Sequence, residues 1–179
     1  MYSDRITSGI PGLDDHMRGG FIKNSVNLIS GGAGTGKTIF LAQFLLDGII
    51  NHDQNGLYIS LEQDLVSLLG DLKSLGWDFE KLEQMGKCKF IFLGPFSQRD
   101  ILNNILKEVT KANAERVVID SLTIFGMSIQ DGINMRRAMY ELMALLKRLN
   151  CTVLLTSEVQ GEVNLDISAT SSLSRFGIE

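Results

Sequence analysis

The densest chemical signal in the chain is GGAGTGKT, from Gly31 to Thr38. The run satisfies G-x-x-x-x-G-K-[ST], a loop that wraps phosphates with backbone N–H groups. Its glycines admit the positive-φ turns that aim successive N–H groups at one anion. A helix starting near Gly36 adds its N-terminal dipole and unpaired donors. Lys37 supplies a point charge for β- and γ-phosphates, and the Thr38 hydroxyl supplies one oxygen for Mg2+. Contacts to the ligand are expected along Gly32, Ala33, Gly34, Thr35, Gly36, Lys37, Thr38 and Ile39. The ligands this pattern implies are ATP or ADP with Mg2+.

Two carboxylates sit where such a cradle needs them. RVVID is an apolar strand that delivers Asp120 to the C-terminal edge of a sheet, where open α/β sheets bind ligands. With Thr38 it forms the expected metal side. LYISLEQD ends a second strand at Glu62, placed to deprotonate a water in line with the γ-phosphate. From position alone, a solvated strand-end glutamate reads equally well. TVLLTSE ends a further strand in Thr156, Ser157 and Glu158, either sensors of the γ-phosphate or a plain polar turn. Glu62 and Lys37 are thus the candidate catalytic pair. No Asn-Lys-x-Asp run follows any strand, which disfavours a GTPase.

Positioning these residues requires strands and helices in alternation, and the sequence supplies them. Short β-branched runs at 26–30, 57–62, 88–94, 116–120 and 152–158 are separated by longer amphipathic segments. That pattern predicts βαβ crossovers and a mostly parallel sheet, an α/β fold. The strands are almost continuously apolar, so both sheet faces are expected to be covered. One helix buries Leu65, Leu68, Leu69, Leu72 and Leu75. Another opens with a capping box, Ser97 with Asp100, and buries Ile101, Leu102, Ile105, Leu106 and Val109. A third buries Leu142, Met143, Leu146 and Leu149, with Lys147 and Arg148 at its negative end and Asn150 as a left-handed stop.

The chain has 179 residues, 44% of them hydrophobic and 21% charged, which suits one globular domain with a core at 1–158 and an irregular tail at 159–179. A net charge of −4 argues against broad nonspecific nucleic-acid binding. Cys88 and Cys151 sit in apolar runs and are expected to be buried, reduced thiols. No stretch approaches the ~20 apolar residues that span a bilayer, and the N-terminus lacks a signal-peptide core. A cytoplasmic protein without membrane contact is the expectation.

The run SGIPGLDDHMRGGFIKNSVNLISGGAGTGKTIFLAQFL resembles the RecA superfamily, specifically its KaiC-like and RadA-related ATPases. The likeness continues through YISLEQ, LKSLGWDF, VVIDSLT, MRRAMYELMALLKRLN, LLTSE and SRFGIE. It implies a three-layer RecA-like core, with Glu62 as the water-activating glutamate and Thr156–Glu158 as the sensor strand. It puts Ser74 and Leu75 near the adenine, although core packing suits Leu75 and Trp77 as well. Relatives often carry a second glutamate where this chain has Gln63. They continue past SRFGIE with further strands, which leads to an expected short sheet and slow turnover for this chain alone. Hexameric rings or filaments with ATP between subunits are the implied assembly, with a protein partner as the implied target of regulation. The other readings are a nonhydrolysing ATP-dependent switch and a recombinase-like DNA-binding protein. In EVQGEVNLDISATSSLSRFGIE, Glu158, Glu162, Asp166 and Glu179 against a single Arg175 disfavour tight DNA binding.

Overall fold

The computed structural model describes residues 4–94, 98–123 and 132–158. Five parallel strands form one sheet: β3 (Val26–Gly31), β4 (Gly56–Ser60), β5 (Cys88–Phe92), β6 (Arg116–Asp120) and β7 (Thr152–Glu158). Their order in space is β3-β7-β6-β4-β5. The registers Ser60↔Asp120 and Ser30↔Ser157 bring the strands' C-terminal ends level, so everything that follows a strand meets at one edge.

Period-two alternation assigns each strand residue to one of two cores. Leu57, Ile59, Val117, Ile119, Val153 and Leu155 face the layer made by α5 (Gln98–Ala112) and α6 (Gly132–Leu146). Tyr58, Val118 and Leu154 face the other, where α2 (Lys37–His52), α3 (Leu65–Ser74) and α4 (Phe79–Gln84) pack. Three layers result, as expected. Three small elements have no counterpart in the sequence pattern: β1 (Arg5–Ile6) and β2 (Phe21–Ile22), which pair as a hairpin, and the single turn α1 (Leu13–His16) between them.

Some boundaries and faces differ from expectation. Strand β4 ends at Ser60, so Glu62 lies in the bend beyond it. Leu106 is exposed on α5, since the layer beneath is already filled by Ile101, Ile105 and Val109. Leu75 is the C-cap of α3 and is also exposed, because the helix stops before its side chain can turn inward. Asn150 does not take the left-handed conformation; α6 ends at Leu146, and the Asn150 side chain accepts a hydrogen bond from Asn24 Nδ2 at 2.6 Å. Outside glycine, left-handed φ occurs at Arg18, Asn24, Asp53 and Asn113, three of the four being asparagine or aspartate, which tolerate it best after glycine. The Ser97 capping residue and the tail from residue 159 lie outside the described residues.

The hairpin is fastened to α2 through Arg116, whose side chain is 1% exposed. Its guanidinium donates to Thr7 O at 2.9 Å, Phe44 O at 2.7 Å and Gln54 Oε1 at 2.7 Å, and pairs with Asp47 at 3.1 Å. It also lies 4.6 Å over the Phe44 ring. With Nη2 also bonded to Thr7 Oγ1 at 3.2 Å, all three guanidinium nitrogens are held and the buried charge cannot swing aside. A Cβ on Gly48 would stand 2.4 Å from Arg116 Cδ. Gly48→Ala should therefore destabilise the chain, because overpacking costs about 1–3 kcal/mol against the roughly 0.8–1.0 kcal/mol of helix propensity that alanine gains. Urea denaturation would show a lower midpoint; an unchanged or raised one would mean the Arg116 pocket can relax.

Candidate nucleotide site

The loop after β3 and the first turn of α2 form the floor of the site. Gly34 (φ 71) and Gly36 (φ 87) take the positive-φ turns, and Gly36 is the N-cap of α2. A side chain at either position would be strained, so glycine is required there by backbone geometry. Lys37 is the first residue of α2, and its ammonium donates to Gly31 O at 2.9 Å and Gly32 O at 2.6 Å. Thr35 Oγ1 donates to Gly32 O at 2.9 Å and tightens the same turn. Ile39 is exposed one turn into the helix.

Asp120 ends β6 in the middle of the sheet, and three hydroxyls converge on its carboxylate. Oδ2 accepts from Thr38 Oγ1 and from Tyr58 Oη, each at 2.8 Å. Oδ1 accepts from Thr156 Oγ1. The Thr38–Asp120 contact is the metal-side pair expected from sequence, joined across 82 positions of chain. Burial raises the Tyr58 phenol well above its ordinary range, and the neighbouring Asp120 charge adds to this, so Tyr58 remains a neutral donor.

Glu62 reaches the site from the bend after β4. Its Oε2 accepts from Ser121 Oγ at 2.9 Å, and Ser121 is itself buried. Gln63 borders the same cleft with its side chain tied to α3: its backbone N–H is held by Ser60 Oγ at 3.1 Å and its amide donates to Asp71 at 3.1 Å. At the end of β7, the Glu158 N–H donates to Thr123 Oγ1 at 2.9 Å.

A cleft of about 370 Å³ unites these groups, lined by Ala33, Gly34, Lys37 and Thr38 from the loop and helix and by Glu62, Gln63, Asp120, Ser121 and Glu158 from the other strand ends. Its charge balance is informative: among the described residues, one ammonium faces three carboxylates. A polyphosphate would meet net repulsion there unless a divalent cation entered with it. Thr38 and Asp120 offer hard oxygen donors of the kind Mg2+ takes, so the donor set fits that ion.

Of the residues expected from the sequence, Ala33, Gly34, Lys37, Thr38, Glu62 and Asp120 thus line one cleft, and those expected near an adenine do not line it. Ser74 and Leu75 are exposed at the end of α3, and Trp77 packs into the core beside it. Sequence reasoning missed Tyr58 and Ser121. Tyr58 could have been found, since a phenol in an otherwise apolar buried strand needs a partner for its hydroxyl.

A family model described as "ATPase: KaiC" matches residues 6–179. The chain belongs to the KaiC ATPase family. It is 35% identical to a UPF0273 protein of Thermotoga maritima, the match covering 87% of this chain and 70% of that protein. It is 31% identical to the circadian clock oscillator protein KaiC of Prochlorococcus marinus, over all of this chain but 36% of that protein. The crystal structure of a KaiC-like protein from the archaeon Pyrococcus horikoshii superimposes with a TM-score of 0.82 at 35% identity, covering 90% of this chain and 73% of that one. The chain therefore spans about a third of a full KaiC and most of the shorter KaiC-like proteins. Family and fold together bear out an ATP-binding, RecA-like P-loop domain. No helix among the described residues is long and apolar enough to cross a membrane.

Both cysteines are free and buried, as expected. Burial pushes the Cys88 thiol up to about 12 and the Cys151 thiol to about 11. Since the thiolate is the reactive form, neither should react with a thiol reagent at pH 8 until the chain is unfolded. Rapid labelling of the native protein, counted by mass spectrometry, would contradict this.

Proposed function

We propose that this chain binds Mg-ATP in the cleft and hydrolyses it to ADP and phosphate, with nucleotide state coupled to assembly of several copies or to a protein partner. The observation that carries the reading is the convergence of Lys37, Thr38, Asp120 and Glu62 on one cleft from separate elements. The loop N–H groups and the α2 N-terminus cradle the phosphates. Lys37 turns its ammonium from the Gly31 and Gly32 carbonyls to the phosphate oxygens, where charge develops during transfer. Thr38 and Asp120 hold Mg2+, which when bound neutralises phosphate charge. Glu62, oriented by the Ser121 hydroxyl, accepts the proton of the attacking water.

The test is calorimetry of ATP binding with and without Mg2+, run beside a phosphate-release assay and sedimentation of the same sample. Mg2+-dependent binding with turnover supports the proposal. Tight binding with no turnover at any assembly state would instead make the chain an ATP-dependent switch. Failure to bind ATP would remove the reading altogether.

A further inference from the structure

Asp120 is held from both sides of its own strand. Strand β6 lies between β4 and β7, and each neighbour contributes one hydroxyl to the carboxylate, Tyr58 to Oδ2 at 2.8 Å and Thr156 to Oδ1. The register explains how. Tyr58 pairs with Val118, so Asp120 lies two residues further along on the same face, a diagonal spacing that a long aromatic side chain can bridge. The Tyr58 ring is fixed where it lies. It is fully buried and stacked on Phe90, with centroids 5.0 Å apart and planes 9° from parallel. A phenylalanine would fill the same space, so packing does not account for the hydroxyl. What the hydroxyl adds is one directed hydrogen bond to the carboxylate oxygen that also receives Thr38.

We propose that Tyr58 is a positioning residue for the metal side of the nucleotide site, its buried phenol fixing the Asp120 carboxylate in the orientation that a divalent cation requires. The inference rests on the Mg-nucleotide reading of the cleft. Thr38 serves the metal in that reading, which leaves Tyr58 and Thr156 as the donors that hold Asp120 in place. Supporting partners of this kind orient a ligand without touching the metal.

The experiment is Tyr58→Phe in the full chain. Mn2+ is titrated into protein saturated with ADP, free Mn2+ being followed by its paramagnetic resonance signal. Loss of an outer-shell partner weakens metal affinity by roughly 10–100-fold, and a shift in that range is expected. ADP affinity measured in EDTA should match the wild type, since the phosphate cradle is untouched; a general loosening of the fold would lower both. Equal metal affinity in variant and wild type, with the wild type binding Mn2+ only alongside nucleotide, overturns the proposal while leaving the cleft assignment intact. A wild type whose nucleotide binding ignores metal overturns both. Should the variant fail to fold, the Tyr58 hydroxyl proton of the wild type provides the second readout. It should resonate downfield, move when Mg2+ joins bound ADP, and stay in place with ADP alone. A resonance indifferent to Mg2+ also refutes the idea.

Discussion

Lys37→Ala is expected to abolish most ATP binding while the fold survives. The ammonium is half-exposed at the start of α2 and belongs to neither core, so its removal opens no cavity among the packed side chains. Its two present partners, the Gly31 and Gly32 carbonyls, can turn to water. The binding side is different. Among the described residues, Lys37 is the one cation lining a cleft that also holds Glu62, Asp120 and Glu158. Hydrogen bonds to charged groups are worth about 1.5–3 kcal/mol each, and loss of one or two at a triphosphate weakens affinity by roughly 10- to 10⁴-fold. The electrostatic setting places the expectation toward the upper end, because no second lysine or arginine among the described residues lines the cleft to compensate. Calorimetry with Mg-ATP, paired with thermal denaturation in the absence of nucleotide, separates the two effects. Unchanged affinity would mean that the loop does not hold the phosphates. A collapse of stability without ligand would mean that Lys37 braces the loop through its carbonyl contacts.

How far the sequence revealed this arrangement depends on how local each signal was. The loop Gly31–Thr38 was legible because its function is written in contiguous backbone geometry, and Gly34 and Gly36 adopt the turns their residue type allows. Strand β6 and the placement of Asp120 were legible because an apolar run ending in a carboxylate has few other uses beside such a loop. The hydrogen bonds to Asp120 from Tyr58 and Thr156 were not. They span sequence separations of 62 and 36 residues, and only the strand order sets who meets whom. Helix faces failed at their ends for a physical reason. Leu75 keeps the periodicity of α3 but falls where the helix stops, and Leu106 keeps that of α5 but lies past the width of the layer it covers. The N-terminal hairpin escaped because its strands are two residues each, too short for any alternation to register. The burial of Arg116 at the head of an apolar strand has no local signal either, because the groups that satisfy it, Asp47, Gln54 and two backbone carbonyls, lie 62 to 109 residues away in the chain.

Glu62→Gln should separate binding from chemistry more sharply than any other change at the site. The amide has the size and shape of the carboxylate, and its oxygen can still accept the Ser121 hydroxyl that holds Glu62 at 2.9 Å. The bend after β4 is fixed by backbone contacts that the substitution does not touch, Leu61 N to Asp120 O at 2.6 Å and Gln63 N to Ser60 Oγ at 3.1 Å. Removing one of three carboxylates from a cleft that takes a polyanion should leave ATP affinity equal or slightly improved. Turnover should fall, since an amide cannot take the proton from water, and loss of a general base costs roughly 10²–10⁴-fold. Gln63 cannot make up the loss. It carries no base and its side chain is turned to Asp71 on α3. Glu158, the remaining carboxylate at the end of β7, is the group to watch, because residual turnover that vanishes in a Glu62→Gln, Glu158→Gln double variant would assign it the reserve role. Single-turnover phosphate release and calorimetry on the same preparations decide the matter. A parallel loss of binding and turnover would make Glu62 a structural or metal-side residue. Turnover equal to the wild type would move the base elsewhere in the cleft, and the hydrogen bond from Ser121 would then serve only to hold the bend.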